Sequence, residues 1–465
     1  MCMRSGANGF RKGGGRTTCR RGQGRIALGR IAAAGALLGL LLAGCESASG
    51  SGEAGSPKPN GTAANQEREG TAAGKPEPVT VTFYPAMPLT DTDFDKIVVQ
   101  PVRAKYPHIT VERMGGLLAN TMASGDIPDL IQTHNGVLQE FYDKAMASDL
   151  NALVRKSGLD LSRFDSAILD SLRTDKGELL GIPYAVNFTA LYYNKGLFDK
   201  FGVPYPPDGL TWYEAIDIAR KLSRTEGGVA YRGLDPESMG RIARQAALDY
   251  ADLSTMKSNM MNPRWRTVFE IAKQIYSIPG NGVKDVNASN GTADFLQDKV
   301  AMMATVNLFD QLGVAASKGL DWDVAEYPSL PGAPHVGSDV DAHIFVIPPT
   351  ARHKEAAMLV AEAITSDMAQ LTMTKETARL SPLRDPTFKT AFAAGMDFVR
   401  GKRIGSIFNS HMIPAPIRTK YYTDTKAFGQ NNFKDYTAGE KDLNTALRDA
   451  DEQINSYLST QLGKK

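Results

Sequence analysis

The body of this sequence contains no cysteine. The chain has three cysteines, at positions 2, 19 and 45, and all of them lie in its first tenth. The residues after position 45 therefore hold no disulfide, no cysteine-ligated zinc and no thiol nucleophile. Tryptophan and histidine are also scarce, with three and six residues, and the histidines show no metal-ligand spacing. We expect an exported protein that folds without oxidation and has no metal or other cofactor.

Common catalytic signatures are missing as well. The sequence has no H-E-x-x-H zinc motif, no G-x-S-x-G nucleophile elbow and no P-loop. Asp91, Asp93 and Asp95 have the spacing of the start of a calcium loop, but the glycine and the final glutamate of such a loop are absent. We interpret these residues as a solvated helix start and expect the protein not to be an enzyme. Two other classes of protein stay open. One is a secreted glycosidase, whose two catalytic carboxylates need no fixed spacing in the sequence, and the other is a surface lipoprotein without a transport role.

Charge is distributed unevenly along the chain. The formal net charge is +2, but residues 1–44 contain eight basic residues and no acidic residue. The remainder has 45 basic and 51 acidic residues, a formal charge of −6. A mildly acidic body has no electrostatic reason to bind nucleic acid. The basic head is typical of a targeting segment.

The N-terminus is typical of a secreted lipoprotein. An apolar run over residues 31–43 is too short for a membrane span, which needs ~20 residues, so we interpret residues 1–44 as a signal peptide. Residues 42–45 (Leu-Ala-Gly-Cys) resemble the bacterial lipobox, which implies cleavage before Cys45 and lipidation of its thiol, with palmitate among the acyl chains. The following residues, up to position 78, lack large apolar side chains and predict a disordered tether. We expect a lipid anchor on the outer face of the cell membrane; an uncleaved anchor helix is the alternative.

Strand and helix signals alternate after the tether. Short β-branched and aromatic runs predict strands, and segments with apolar residues at helical spacing predict helices between and after them. Thr211 and Glu214 form a capping box, which predicts a helix start, and the three tryptophans are expected to be structural. This alternation predicts an α/β fold with a mostly parallel sheet. The predicted strands are 79–84, 109–111 and 130–132, and predicted helices include 94–105, 353–366 and 440–459.

Six segments match the motifs of one known family in the right order. They are 179–198, 206–214, 295–303, 322–332, 354–357 and 381–382. Together they resemble the family 1 extracellular solute-binding proteins, the relatives of maltose-binding protein. Asp298 stands where that family has glycine, and we predict that the turn survives because aspartate tolerates a left-handed backbone. Residues 307–309 (Asn-Leu-Phe) replace the small residue and tryptophan that sugar-binding relatives show there.

The resemblance implies a two-lobed periplasmic-binding-protein-like α/β fold with a central ligand cleft and hinge crossovers. It also implies the solute-binding component of an ABC importer, a monomer that captures a small solute by hinge closure and delivers it to membrane permease subunits. The expected ranges are 79–186 plus 343–385 for lobe 1, and 187–342 plus 386–460 for lobe 2.

We expect the solute at the carboxyl ends of the strands, where ligands of open α/β sheets bind. Aromatic faces pack on sugar C–H surfaces, while amides and carboxylates orient hydroxyls, so these residue types favour an oligosaccharide. Packing in the core is the alternative for each aromatic candidate. At most one of Tyr192 and Tyr193 can face the cleft, because neighbouring strand residues point to opposite faces. The candidate ligand-binding residues are Tyr84, Thr133, His134, Asn135, Tyr184, Tyr192, Asn307, Phe309, Asp339 and Asp341.

Overall fold

The computed structural model describes residues 76–287 and 289–463. The expected signal peptide, the lipidation of Cys45 and all but the last three residues of the tether lie outside the described residues. Within these two ranges, no helix is both long and apolar enough to cross a membrane.

Strands and helices alternate over the whole described body. The strands are β1 (Val79–Pro85), β2 (Ile109–Arg113), β3 (Leu130–His134), β4 (Ile182–Val186), β5 (Thr189–Asn194), β6 (Arg224–Glu226), β7 (Val229–Asp235), β8 (Ala251–Asp252), β9 (Lys257–Ser258), β10 (Val300–Val306), β11 (Trp322–Ala325), β12 (Val336–Asp339), β13 (Ala342–Val346) and β14 (His411–Ile413). The α-helices are α1 (Asp91–Phe94), α2 (Gln100–Lys105), α3 (Leu118–Ser124), α4 (Leu138–Asp143), α5 (Asn151–Ser157), α6 (Ser166–Asp170), α7 (Lys195–Phe201), α8 (Trp212–Leu222), α9 (Met239–Arg244), α10 (Pro263–Tyr276), α11 (Gly291–Phe295), α12 (Phe309–Ser317), α13 (Lys354–Ile364), α14 (Asp367–Thr377), α15 (Thr387–Thr390), α16 (Tyr422–Ala438) and α17 (Leu443–Leu462). A π-helical turn (Asp95–Val99) joins α1 to α2, and short 3-10 turns lie at Asn135–Val137, Leu161–Arg163, Asp397–Val399 and Ile404–Asn409.

Two five-stranded sheets form the cores of two lobes. The lobe 1 sheet has the order β2-β1-β3-β13-β4, and the lobe 2 sheet has the order β11-β5-β10-β7-β6. Helices cover both sheets, and strands such as β4 and β5 are buried along their whole length, as expected when both faces of a sheet are covered. The expected two-lobed α/β fold is therefore confirmed.

The sheets are mixed, and the prediction of a mostly parallel sheet was wrong. In lobe 1, β1 pairs in parallel with β2 and β3, but β13 is antiparallel to β3 and β4. The reason is the route of the chain. β13 enters lobe 1 from lobe 2, so it starts at the edge of the sheet where β3 ends and runs back alongside it.

Three chain segments connect the lobes side by side. Only Asn187 and Phe188 separate β4 from β5, and only Val340 and Asp341 separate β12 from β13. The backbone N–H of Asn187 donates to Asp341 O at 2.9 Å, which joins the first two segments. The third segment follows α14, and Leu380 O accepts from Val186 N at 2.8 Å. The connection between the lobes is thus a narrow, hydrogen-bonded group of extended segments.

Several local predictions are confirmed. Thr211 and Glu214 form the capping box at the start of α8, with both reciprocal hydrogen bonds present. Asp298 has a φ of 59°, the left-handed conformation that was expected at this turn. All three tryptophans are fully buried. The local sequence signals therefore specify the caps, turns and packing faces that build each lobe.

Candidate functional site

The carboxyl ends of four strands converge beside the connection between the lobes. In lobe 1, His134 at the end of β3 pairs with His343, two residues after Asp341. In lobe 2, Val306 at the end of β10 pairs with Thr189, the first residue of β5. Because β1 is parallel to β3 and β7 is parallel to β10, all four ends face the cleft between the two sheets. This is the position at which open α/β sheets bind ligands.

A groove of about 560 Å³ lies at one end of the cleft. The loop after β1 (residues 85–90) supplies much of its lobe 1 wall, and Asp310 at the start of α12 lines it from lobe 2. Arg379 lies between the lobes, with Nη2 at 2.9 Å from Asp93 Oδ2 and 3.6 Å from Asp310 Oδ2. Burial raises the pKa of Asp310, and Arg379 opposes this effect. An ion pair on the third crossover therefore connects the two walls.

A cluster of buried charges occupies the other end of the cleft. Asp339, which is fully buried, binds two arginines: its Oδ1 lies 2.5 Å from Arg244 Nε, and its Oδ2 lies 3.2 Å from Arg418 Nη2. Arg244 Nη1 also lies 3.3 Å from Asp341 Oδ2. Burial raises the pKa of Asp339 despite the two arginines. For Asp341 the balance is reversed, because burial alone would raise its pKa but Arg244 and its other charged neighbours hold it well below its usual value.

Glu237 and Arg241 form a second charged pair at the end of β7. Arg241 makes a fork-like contact, with Nε at 2.9 Å from Glu237 Oε2 and Nη2 at 3.0 Å from Oε1. The hydroxyl of Thr305 also donates to Glu237 Oε2. Glu237 has a φ of 65°, a strained backbone for a residue other than glycine, and such strain is concentrated at ligand sites. Its backbone N–H donates to Asp235 Oδ1 at 2.7 Å, which holds the turn in place.

Two histidines contribute neutral imidazoles to the cleft. His134 Nδ1 accepts from Gly136 N at 3.1 Å, so Nε2 carries the proton of the neutral ring. Burial lowers the pKa of His134, and the neighbouring arginines lower it further. Burial lowers the pKa of His343 to about 4. At neutral pH both rings can therefore exchange hydrogen bonds with a solute without carrying a charge.

Two of the predicted ligand residues bind the crossovers. Asn135 donates from Nδ2 to Val340 O at 3.0 Å, and its Oδ1 accepts from Ala342 N at 3.1 Å. Asn307 donates from Nδ2 to Ala378 O at 2.8 Å, and its Oδ1 accepts from Phe309 N at 3.0 Å. Each asparagine thus ties the end of a cleft strand, β3 or β10, to a segment that connects the lobes.

Three predicted residues of lobe 1 are buried beneath the cleft. The Tyr84 hydroxyl donates to Gly116 O at 2.8 Å and so fixes the loop after β2. The Tyr184 hydroxyl accepts from Gln132 Nε2 at 2.6 Å, and its ring stacks on Phe345 with centroids 4.4 Å apart. Thr133 is 2% exposed. These contacts are packing contacts within the lobe.

Tyr192 and Phe309 belong to an aromatic cluster in lobe 2. Tyr192 is fully buried, and its hydroxyl accepts from Leu308 N at 3.2 Å. The Phe309 ring is packed edge-on against the rings of Phe188 and Phe392. Tyr193, on the other face of the same strand, is also buried. Of the ten predicted residues, His134, Asp339 and Asp341 are the ones that the structure brings together in the charged part of the cleft.

The sequence analysis missed most of the cations at the cleft and the second histidine. The arginines that it missed come from α9, the third crossover and the segment before α16, which are far apart in sequence. A weak signal existed in Arg241 and Arg244, which lie three residues apart and therefore share a face of any helix that contains them. The missed residues are Arg241, Arg244, His343, Arg379, Arg418 and Lys426.

The chemistry of this site is that of hydrogen-bonding and charge recognition. Within the described ranges, no group of three or more histidine, cysteine, aspartate or glutamate side chains is arranged to hold a metal ion. The carboxylates of the cluster are engaged by arginines, and the histidines are neutral. Such groups recognise a polar solute that contacts both lobes.

Several solved structures with a similar fold are described as sugar-binding proteins or contain a bound saccharide. An ABC substrate-binding protein of Listeria monocytogenes in complex with cycloalternan is 19% identical with a TM-score of 0.67, covering 82% of this chain and 100% of that chain. The sugar-binding protein MalE of Xanthomonas citri is 19% identical with a TM-score of 0.65, covering 82% and 98%. The cyclic alpha-maltosyl-1,6-maltose binding protein of Arthrobacter globiformis is 16% identical with a TM-score of 0.65, covering 82% and 100%. At these identities the likeness establishes the fold and not the ligand.

The family assignment rests on the sequence itself. The profile of the bacterial extracellular solute-binding proteins matches residues 92–371. This range is more than half of the chain and includes β2 to β13, with the whole lobe 2 sheet, all but the first strand of the lobe 1 sheet and the first two crossovers. The chain therefore belongs to the bacterial extracellular solute-binding proteins.

Proposed function

We propose that this protein captures an oligosaccharide between its lobes and delivers it to the permease of an ABC importer by hinge closure. The observation that carries the proposal is the geometry of the cleft, where strand ends of both lobes converge beside three narrow crossovers. A solute that contacts both walls binds more tightly when the walls approach, so its binding energy favours the closed state. The sugar-binding proteins that share the fold support a carbohydrate as the solute.

The hinge is proposed at the three crossovers, with lobe 1 over 79–186 plus 343–385 and lobe 2 over 187–342 plus 386–460. The membership of β13 in the lobe 1 sheet supports the first range. The packing of α16 and α17 in the core beneath the lobe 2 sheet supports the second. Phe388 packs in the lobe 1 core, so the last boundary extends a few residues beyond 385.

Within the cleft we propose direct solute contacts for His134, His343 and Asp341. The other predicted residues are proposed to maintain the shape of the cleft without contacting the solute. Asn135 and Asn307 hold the strand ends to the crossovers. The buried set of Tyr84, Thr133, Tyr184, Tyr192 and Phe309 supports the cleft walls from beneath, and Asp339 positions Arg244 and Arg418.

The mature protein is proposed to be a monomer anchored to the outer face of the membrane by a lipid on Cys45. Labelled palmitate should enter the wild-type protein and should not enter the Cys45→Ala variant. Equal labelling of both proteins would contradict the anchor and leave the binding proposal untouched.

Calorimetry against a panel of oligosaccharides tests the binding proposal, with chromatography of the recovered sugars as a second readout. We expect saturable binding to one site and recovery of the sugar unchanged, because the cleft binds by hydrogen bonds and charge. Turnover of the sugar without saturable binding would contradict the proposal and favour a secreted glycosidase.

A further inference from the structure

Lys426 carries a charge at the cleft without a partner of opposite sign. It lies near the start of α16 and is partly buried. Among the described residues, its Nζ has no carboxylate oxygen within 4.0 Å and makes no hydrogen bond. The ammonium group faces the aromatic ring of Tyr422, whose centroid is 6.0 Å from Nζ.

The charges around Lys426 are mostly of its own sign. Burial lowers its pKa most, Arg241 and Arg418 lower it further, and Arg244 acts in the same direction. Glu237 is the carboxylate that opposes them, and its two oxygens are already bound by the fork of Arg241. After burial, three arginines and one carboxylate are therefore the groups that act most strongly on this ammonium group.

Arg418 presents a second unsatisfied donor at the same place. Its guanidinium carbon lies 4.8 Å from the centroid of the Tyr422 ring, so Arg418 and Lys426 both approach this ring. Arg418 is 7% exposed, and its Nη2 binds Asp339. Its Nε is buried and has no hydrogen-bond partner among the described residues.

The remaining carboxyl groups nearby do not compensate Lys426. Asp339 and Asp341 are bound by Arg244, and Asp339 also by Arg418. Asp249 is buried, and burial raises its pKa to about 6. Within the described part of the chain, no cation lies within ion-pair distance of Asp249.

A partly buried ammonium group without a counter-ion costs free energy, and an anionic ligand removes that cost. We infer that the solute is an acidic saccharide, whose carboxylate, sulfate or phosphate group is bound by Lys426 and Arg418. The Tyr422 ring, which both cations approach, is an aromatic surface on which the sugar ring that carries this group can pack. This inference rests on the proposed capture of a saccharide in the cleft and narrows its chemical class.

Calorimetry of the full chain with matched sugars tests the inference. The probes are galacturonic acid disaccharide with galactobiose, a sulfated galactobiose, and glucose 6-phosphate with glucose. We expect at least one acidic probe to bind about tenfold or more tightly than its neutral counterpart, with an affinity that falls as NaCl is added. Comparison of the three acidic probes distinguishes carboxylate, sulfate and phosphate.

Two methionine variants show which lysine is responsible for the preference for an acidic probe. Lys426→Met should lose the advantage of the acidic probe, while Lys434→Met, on the exposed part of the same helix, should keep it. Since methionine retains the apolar stem and removes an uncompensated charge, Lys426→Met should melt at the same or a higher temperature than the wild type. A lower melting temperature with unchanged preference for the acidic probe would mean a structural role and would overturn the inference.

The outcomes separate this inference from the proposed function. If neutral sugars bind as tightly as their acidic counterparts, the acidic class is wrong and saccharide capture stands. If neither the acidic probes nor a broad panel of neutral oligosaccharides binds, saccharide capture itself is wrong, and the inference falls with it.

Discussion

At the scale of single residues, the stability of the fold depends on how its buried charges are paired. Asp339 is fully buried, and Arg244 supplies one of its two partners. Arg244→Met should lower the free energy of unfolding by about 3 kcal/mol, because removing one partner leaves a buried charge undercompensated. Urea denaturation measures the change. The control is Arg220→Met, which removes an exposed pair with Asp217 and should cost less than about 0.5 kcal/mol. Equal losses of unfolding free energy in the two variants would contradict the role of Arg244 as a partner of the buried Asp339.

His343 makes stability depend on pH. Its pKa is about 4 in the folded protein, chiefly through burial, and about 6.5 in an unfolded chain. Between these values the unfolded chain binds a proton that the folded protein does not. The contribution of this neutral ring to stability is therefore fully present above pH 6.5 and is lost as the pH falls towards 4. His343→Gln should reduce this loss by on the order of 2 kcal/mol. Unfolding curves at pH 7 and pH 4.5 measure the loss of stability between these two pH values. A variant that loses as much stability as the wild type would contradict the burial of this ring.

At the scale of elements, close packing between β7 and α8 positions the end of β7 at the cleft. A Cβ atom on Gly233 would lie 2.6 Å from the Cα of Ala219, so a larger residue must separate the strand from the helix. Gly233→Ala should lower the free energy of unfolding by about 3 kcal/mol or more. Gly405→Ala is the control, because its Cβ meets nothing within 4 Å. Similar midpoints of denaturation for the two variants would contradict the close approach.

The elements could be predicted from sequence to a greater extent than the site. The capping box at Thr211 and the left-handed turn at Asp298 are local features, and local patterns report them. The depth of Tyr192 could not be predicted in this way, because both faces of its strand are covered and alternation then carries no information. The pairing of Arg244 and Arg418 with Asp339 joins segments up to 174 residues apart, and such contacts leave no local pattern.

At the scale of the whole molecule, the arrangement of the three crossovers decides which motion is available. Two crossovers consist of two residues each, and hydrogen bonds hold all three together. The rotation proposed for hinge closure would therefore be concentrated in a few backbone angles, while each lobe keeps its own hydrophobic core. The family motifs allowed this two-lobed architecture to be expected from sequence, but the mixed strand order became clear only from the path of β13 between the lobes.

Small-angle X-ray scattering with and without a saccharide that binds by calorimetry tests the central claim most directly. Hinge closure predicts a smaller radius of gyration in the presence of the sugar, with a change that saturates at the same sugar concentration as the heat of binding. A scattering curve that is identical with and without a saturating sugar would contradict capture by closure of the two lobes.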